Sequence, residues 1–364
     1  MNYCDKIKYS LFTTGKAAFP DMVDYLLKQV PQEEAVLRLS FFGKPANNEE
    51  YIVRRNILWD KVRDFYGDNE PNLSYVSQPP LNAPLILEVH SFVPEAEDKI
   101  MYKKLQDYPY VVLENNDARI LFAGGFQSDV INESIEKQSN EVFRKIDEIL
   151  QLEGFPINSI IRQWNYIEEI TCFQADNQNY QSFNNARGDF YGKTAWTNGY
   201  PAATGIGANL GGILVDLDAV VFKSTDAFAT PIDNKLQVAA HAYSDNVLEK
   251  AQKQKATPKF ERAKSMTFGQ KRLVYISGTA AIRGEESLKG VGLAQQLHIT
   301  MENITQLTGK AKPVMLRVYL KDKTDYELTE RLMNEYDLHI PISYMCADVC
   351  RDELLIEIEG IAIE

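Results

Sequence analysis

Arg119-Ile120-Leu121-Phe122-Ala123-Gly124-Gly125 and Arg272-Leu273-Val274-Tyr275-Ile276-Ser277-Gly278 are two spellings of one strand. Each opens on arginine, runs apolar and ends in small residues. The downstream pattern is also shared: a helix in which Ile146 and Ile149 answer Met301 and Ile304, a glycine (Gly154, Gly309), then a strand reading Ile161-Arg162-Gln163-Trp164 or Leu316-Arg317-Val318-Tyr319. Both copies close on an alternating strand, Val215-Asp216-Leu217-Asp218-Ala219 and Ile356-Glu357-Ile358-Glu359-Gly360. A weaker copy precedes them, with Leu37-Arg38-Leu39-Ser40-Phe41 and Leu85-Ile86-Leu87-Glu88-Val89 in the places of the last two strands. This sets Arg38 beside Arg162 and Arg317, and Glu88 where Glu357 sits. Three copies of one pattern in a single chain predict a trimer fused into a monomer.

Apolar residues at Ile131, Ile135, Val142, Phe143, Ile146, Ile149 and Leu150 have helical spacing and predict a helix over 131–152; Leu293, Leu297, Met301 and Ile304 predict another over 293–307. The strands are rich in Val, Ile and Tyr, which suit a pleated, half-buried surface. Each unit therefore reads as a mixed sheet with helices on one face, an α+β architecture. The expected divisions are a degenerate first unit at 1–98, a second at 99–222, a connector at 223–268 and a third unit at 269–364. Within the connector the run Glu249-Lys250-Ala251-Gln252-Lys253-Gln254-Lys255 predicts a solvated helix.

At 364 residues and 45% apolar composition the chain can bury substantial cores. No run approaches the roughly 18 apolar residues of a membrane span, and Met1-Asn2-Tyr3-Cys4-Asp5-Lys6 has neither a basic nor an apolar leader region, so a cytoplasmic location is expected. Cys4, Cys172, Cys346 and Cys350 are too few and too irregular for a disulfide framework. A net charge of −12 repels nucleic acid and anionic membranes, so an anionic ligand must be met by local arginines.

Candidate chemistry concentrates in four places. Alternation in Ile356-Glu357-Ile358-Glu359 puts both carboxylates on one face; in an apolar cleft Glu357 would hold its proton and serve as a general acid, on a solvent face it would be inert. Cys350, just upstream, reads either as a small buried hydrophobe or as a site residue. Tyr200-Pro201-Ala202-Ala203-Thr204-Gly205-Ile206-Gly207 precedes a strand instead of opening a helix, which excludes a dinucleotide fingerprint and leaves a tight loop that either approaches a ligand or merely turns. Arg187 stands among aromatic residues from Tyr180 to Tyr191, a setting suited to a planar anion, while the recurring Arg162 and Arg317 fit either anion binding or structural ion pairs. The cysteines and the four scattered histidines offer no metal-ligand spacing.

The third unit, with Tyr275-Ile276-Ser277-Gly278-Thr279-Ala280, the Gln295-Gln296 helix and the ending Ile356-Glu357-Ile358-Glu359-Gly360-Ile361-Ala362, resembles the YjgF/RidA family. That resemblance implies a trimeric α+β fold with ligands in clefts between subunits. Its imine-deaminating members carry a carboxylate-binding arginine where this chain has Ile342. From about residue 119 onward, four strings in order are similar to the chorismatases, in particular the branch that makes hydroxybenzoates. These are Arg162-Gln163-Trp164-Asn165-Tyr166, Tyr180-x-x-Phe183-x-x-x-Arg187, the Tyr200–Gly207 string, and Ala347-Asp348-Val349-Cys350-Arg351-x-x-Leu354-Leu355-Ile356-Glu357. The second departs from the usual pattern by having Gln178-Asn179-Tyr180 and Ala186-Arg187.

This resemblance implies cleavage of the enolpyruvyl ether of chorismate to pyruvate and a hydroxybenzoate, 3-hydroxybenzoate being favoured because a cysteine matching Cys350 accompanies that outcome. It implies Glu357 as the acid, Arg187, Arg317 and Arg162 as partners of the substrate carboxylates, Tyr180 and Tyr319 as pocket walls, and contacts from Thr204 and Gly205. The partner expected is a small chorismate-like anion, with no metal, cofactor, nucleic acid or membrane, in a monomeric pseudo-trimer or small homo-oligomer. An enamine/imine deaminase or other small-molecule enzyme on the same fold, or a non-catalytic small-molecule binder, are the alternatives.

Overall fold

The structure, a computed structural model, describes residues 2–174, 177–244 and 256–364. The first unit contains α1 (Tyr3–Lys6), β1 (Ile7–Thr14), α2 (Phe19–Leu27), β2 (Ala35–Gly43), α3 (Asn48–Tyr66), β3 (Asn72–Val76) and β4 (Leu85–Phe92). The second contains β5 (Lys99–Leu105), β6 (Tyr108–Glu114), β7 (Ala118–Gln127), α4 (Ile135–Glu153), β8 (Ile160–Glu168), the short pair β9 (Phe173–Gln174) and β10 (Asn177–Gln178), α5 (Asn179–Tyr191), β11 (Ala202–Ala208) and β12 (Ile213–Phe222). The third contains β13 (Ala227–Ile232), β14 (Ala263–Phe268), β15 (Lys271–Ala280), the short pair β16 (Ile282–Arg283) and β17 (Glu286–Ser287), α6 (Leu293–Thr308), β18 (Lys312–Leu320), α7 (Tyr326–Asn334), β19 (Ile342–Cys346) and β20 (Ile356–Ile363).

Strand order is the same in all three units. β1-β4-β2-β3 in the first corresponds to β7-β12-β8-β11 in the second and β15-β20-β18-β19 in the third, and the last two sheets are extended at one edge by β6-β5 and by β14-β13. In each unit the last two strands of that order are parallel and joined through a helix, as a parallel pair requires, while the other pairs are antiparallel.

Local sequence explains the helix ends. The Ser134 hydroxyl accepts from the Lys137 amide at the start of α4, and Gly154 ends that helix at φ 68°, where a β-carbon would be strained. The helix starts at Ile135, so Ile131 belongs to the turn before it. α6 runs over 293–308, close to its predicted span, and buries Leu293, Leu297, Met301 and Ile304.

Two expectations need correction. The region 223–268 is not a helical connector: both of its ends are strands of the third sheet, β13 and β14, because Ala227–Ile232 and Ala263–Phe268 pair in register along their whole length. The run Glu249–Lys255 lies outside the described residues. The glycine-containing Ala202–Ala208 stretch is likewise a strand, parallel to β8, and the turn comes after it at Gly211 and Gly212, both at positive φ.

Each sheet packs its helices on one face over a core of its own, such as Val142, Ile146 and Leu217 in the second unit and Leu297, Ile304 and Ile358 in the third. The opposite faces of all three sheets meet in a single shared core that includes Phe42, Ile86, Phe122, Trp164, Tyr275 and Tyr319. The register makes the repetition explicit. Arg38 pairs with His90 and Ser40 with Glu88; Arg162 pairs with Asp218 and Trp164 with Asp216; Arg317 pairs with Glu359 and Tyr319 with Glu357. Glu88, Asp216 and Glu357 are therefore equivalent, as are Arg38, Arg162 and Arg317. No helix among the described residues is long and apolar enough to cross a membrane.

Candidate active site between the second and third units

The three arginines point inward, to where the sheets meet. Each reaches a carboxylate of the next unit: Arg38 to Asp218 at 3.0 Å, Arg162 to Glu359, and Arg317 to Glu88 at 2.6 Å. Their guanidinium groups lie 4.7, 4.6 and 5.5 Å from the ring centre of Trp164. Glu359 also accepts from Thr204, from Arg317 at 3.0 Å and from the Tyr319 hydroxyl at 2.7 Å. Arg162, Arg317, Tyr319 and Thr204, four of the expected substrate contacts, are thus committed to a buried ionic core and are not among the residues that line the large cavity beside it. The physical reason is that a guanidinium out of water must find an anion, and here the neighbouring unit supplies it.

A cavity of about 870 Å³ opens beside this core, between α5 and β11 of the second unit and the third unit. Tyr180, Gly205, Cys350 and Glu357 line it, so four of the nine expected residues do converge. Arg187 is buried behind the wall, its guanidinium 5.4 Å from the Phe183 ring centre and donating to Asn184 at 2.6 Å, without a carboxylate partner among the described residues. Gly205 contributes by its lack of a side chain: a β-carbon there would fall 2.8 Å from the Tyr180 ring.

The seam that builds the cavity is stitched by backbone. The Ser277 hydroxyl donates to the Glu261 carbonyl at 2.6 Å and accepts from the Ala203 amide at 2.9 Å; the Glu261 amide donates to Pro201 at 3.0 Å, and the Gly278 amide donates to the Thr204 hydroxyl at 3.0 Å. The buried Lys264 ammonium donates to the carbonyls of Asn198, Gly199 and Tyr200, holding the loop before β11 against the third unit.

Glu357 differs from its two counterparts in what it touches. Glu88 is held by Arg317 and the Ser343 hydroxyl, and Asp216 accepts from Ser74 at 2.6 Å and from the Gly125 amide at 2.7 Å. The Glu357 carboxyl receives no hydrogen bond from any described residue, although only 5% of the residue is exposed. Burial, reinforced by the negative charge of Glu359, raises its pKa to about 8 against the pull of Arg262, Arg162 and Arg351. It is therefore a protonated acid at neutral pH that faces an open cavity. Burial, followed by the charge of Glu357, pushes the Cys350 thiol up to about 12, so it stays a neutral thiol and not a nucleophile.

The cations that line the cavity are ones the sequence reading missed. Arg262 donates to the Val238 carbonyl at 2.9 Å and to the Tyr243 hydroxyl; Arg351 donates to the Glu285 carbonyl at 2.9 Å and lies 5.1 Å from the Tyr243 ring centre. Neither pairs with a carboxylate among the described residues. Arg262 was hidden inside the supposed connector, while Arg351 stood in the Cys350 string and carried a usable signal. Arg283 and Lys289 also line the wall but are paired with Glu302 and Glu353, so the wall offers a proton donor, two guanidiniums without a carboxylate partner among the described residues, and aromatic surface from Tyr180, Tyr243 and Phe260.

Comparison with known proteins bears on the family and the fold. Residues 98–219 match the family described as chorismatase FkbO/Hyg5-like, N-terminal. A 3-hydroxybenzoate synthase of Streptomyces hygroscopicus is 29% identical over 230 residues, which are 58% of this chain and 66% of that protein. A chorismatase of Streptomyces rapamycinicus is 28% identical over 241 residues, 60% of this chain and 68% of its own. The matches thus span about two thirds of these relatives' length. A crystal structure of a chorismatase covers 98% of both chains with a TM-score of 0.71 at 18% identity, which shows a common fold.

Proposed function

We propose that this chain, a chorismatase-like protein built from YjgF/RidA-type units, cleaves the enolpyruvyl ether of chorismate to pyruvate and a hydroxybenzoate. One observation carries the reading: the Glu357 carboxyl, protonated at neutral pH and without a hydrogen-bond donor among the described residues, faces a cavity walled by Arg262 and Arg351.

The chemistry needs such a group. Cleavage begins when a proton is delivered to the methylene carbon of the enol ether, leaving an oxocarbenium ion at the adjacent carbon and a carboxylate on the donor. A carboxyl with a pKa near the working pH gives up its proton at that moment and remains protonated before it. The new Glu357 carboxylate then lies beside the cation it created, which stabilises the charge-separated state. The neighbouring ring hydroxyl displaces the ether oxygen from its ring carbon, which releases pyruvate and leaves an epoxide across the two carbons. Breaking the epoxide's other C–O bond, with loss of the proton on the former ether carbon, restores aromaticity with the hydroxyl at the 3-position, so substrate atoms divide between hydroxybenzoate and pyruvate with none added.

Chorismate is a dicarboxylate, and the two unpaired guanidiniums provide complementary charge in an otherwise acidic protein. Tyr180, Tyr243 and Phe260 suit the planar ring. The neutral thiol of Cys350 sits on the same wall as Glu357, where it bears on how the ring collapses; we assign 3-hydroxybenzoate as the product on that basis and on the likeness to the Streptomyces synthase. Equivalence of the three units supports a monomeric pseudo-trimer with one live cleft, and the four free cysteines suit the cytoplasm. Incubating the protein with chorismate and measuring pyruvate, with chromatography of the aromatic acid, tests the proposal. Loss of chorismate without pyruvate, or no turnover at all, would refute it.

A further inference from the structure

We propose that Glu359 is a positioning residue that fixes the catalytic state of the site by standing as a permanent anion two residues from Glu357 on the same face of β20. The inference rests on Glu357 being the acid. Its ground is geometric. Two acids share one strand face, and four donors have gone to one of them: Arg162, Arg317, Thr204 and Tyr319 all reach Glu359, and none reaches Glu357. With two guanidiniums and two hydroxyls on it, Glu359 is held below the usual carboxylate range despite complete burial. The proton shared by such a pair then resides on the partner, and ionising Glu357 requires a second negative charge in the same desolvated space.

The other two units show what the inner position does when no acid chemistry is needed. There Asp218 and His90 occupy the place of Glu359, and the outer carboxylates Asp216 and Glu88 are quenched by hydrogen bonds. Only the third unit combines a saturated inner anion with an unbonded outer acid. Thr204 makes the coupling rigid, because its hydroxyl donates to Glu359 and accepts from the Gly278 amide, the residue directly under the Glu357 carboxyl. Charged or titratable groups facing Glu357 from the other elements are Arg162 on β8, Tyr180 on α5, Arg262 before β14, and Cys350 and Arg351 in the loop before β20. The three arginines favour loss of the proton from Glu357, and Glu359, on its own strand, is the charge that opposes it.

The test is Glu359→Gln with two readouts. The basic limb of the pH profile for pyruvate release should move down by about one to three pH units, the range a neighbouring charge produces, and the protonated-carboxyl infrared band assigned by its loss in Glu357→Gln should titrate at correspondingly lower pH. Glu359→Asp, which keeps the charge, should restore both toward wild type. An infrared titration unchanged in Glu359→Gln overturns the inference while leaving Glu357 as the acid; absence of the band in wild type overturns the acid assignment itself. Should Glu359→Gln fail to fold, the band at pH 5 decides: a band that survives in Glu357→Gln but shifts in Glu359→Asp puts the proton on Glu359 and sinks the idea.

Discussion

Gly278 lies directly beneath Glu357: a β-carbon added to the glycine would fall 2.1 Å from the carboxyl Oε1, closer than any real contact. The same relationship recurs in the second unit, where a β-carbon on Gly124 would fall 2.2 Å from Oδ1 of Asp216. Glycine is thus the floor of the acid's niche in both units, for a steric reason and not for its backbone freedom.

Gly278→Ala should therefore turn the Glu357 carboxyl away from the substrate. A displacement of about 1 Å at a reacting group costs on the order of 100-fold in rate, so kcat for pyruvate release should fall by about that factor with little change in melting temperature. Gly124→Ala provides the contrast. It disrupts the buried hydrogen bonds of Asp216 and should cost about 1–3 kcal/mol of stability while leaving kcat within twofold. Steady-state kinetics and thermal melts of both variants check the pair, and equal effects on kcat would contradict it.

Glu357→Gln should abolish turnover yet stabilise the fold. The sign comes from its pKa of about 8 against an ordinary 4.5. Below the ordinary value both folded and unfolded chains carry the proton, and nothing is lost. As pH rises from there toward 8, the unfolded chain ionises while the folded one does not, so wild-type stability falls across that window and levels off above it. The isosteric amide has no such slope. At pH 7 the variant should be more stable by roughly 3 kcal/mol, and denaturant titrations at pH 5, 7 and 9 should show the gap opening with pH. A gap that closes with rising pH would mean that Glu357 is not held protonated.

How far the sequence reached depended on which signal each residue carried. The repeat was legible because three strands and a helix recur in nearly constant register, and that register alone puts Glu88, Asp216 and Glu357 on equivalent positions, where the strand pairing also has them. Glu357, Cys350 and Tyr180 were found through short strings that keep their neighbours. Arg162 and Arg317 could not be resolved between ligand and ion pair, since their partners come from other units, far away in sequence. Arg262 escaped because the polar stretch before it hides a strand whose pairing partners lie in β13 and β15.

Cys350 should be slow to react. A thiol at about 12 supplies almost no thiolate at pH 8, whereas Cys172 is exposed. Mass spectrometry after brief iodoacetamide treatment should find Cys172 modified well before Cys350, and pyruvate release should persist while only Cys172 is labelled. Early labelling of Cys350 would mean that its thiol is ionised and would reopen a nucleophilic role.

Arg162→Met tests the ionic core. It takes from Glu359 one of its two guanidinium partners, leaving Arg317, and uncovers part of the Trp164 surface; breaking a buried pair from one side costs about 3–5 kcal/mol. The expected result is a large loss of melting temperature. If stability is unchanged, Arg162 is not a structural residue of the junction.

Arg262→Gln should give the opposite profile. Its guanidinium is buried at the cavity wall against the Tyr243 and Phe260 rings, with the Val238 carbonyl and the Tyr243 hydroxyl as hydrogen-bond partners and no carboxylate partner among the described residues. A substrate carboxylate completes it, and a charge-assisted hydrogen bond to such a group contributes about 1.5–3 kcal/mol. Replacing the charge with an amide of similar reach removes that gain without orphaning an anion in the free protein. KM for chorismate should rise about 10- to 100-fold, kcat should change less, and melting should be nearly unaffected. Binding of an unreactive chorismate analogue, measured by calorimetry, should weaken by the same factor at a stoichiometry near one, because the equivalent carboxylates Asp216 and Glu88 are already taken up by their own hydrogen bonds. A stoichiometry near three, or affinity indifferent to Arg262, would move the anion site elsewhere.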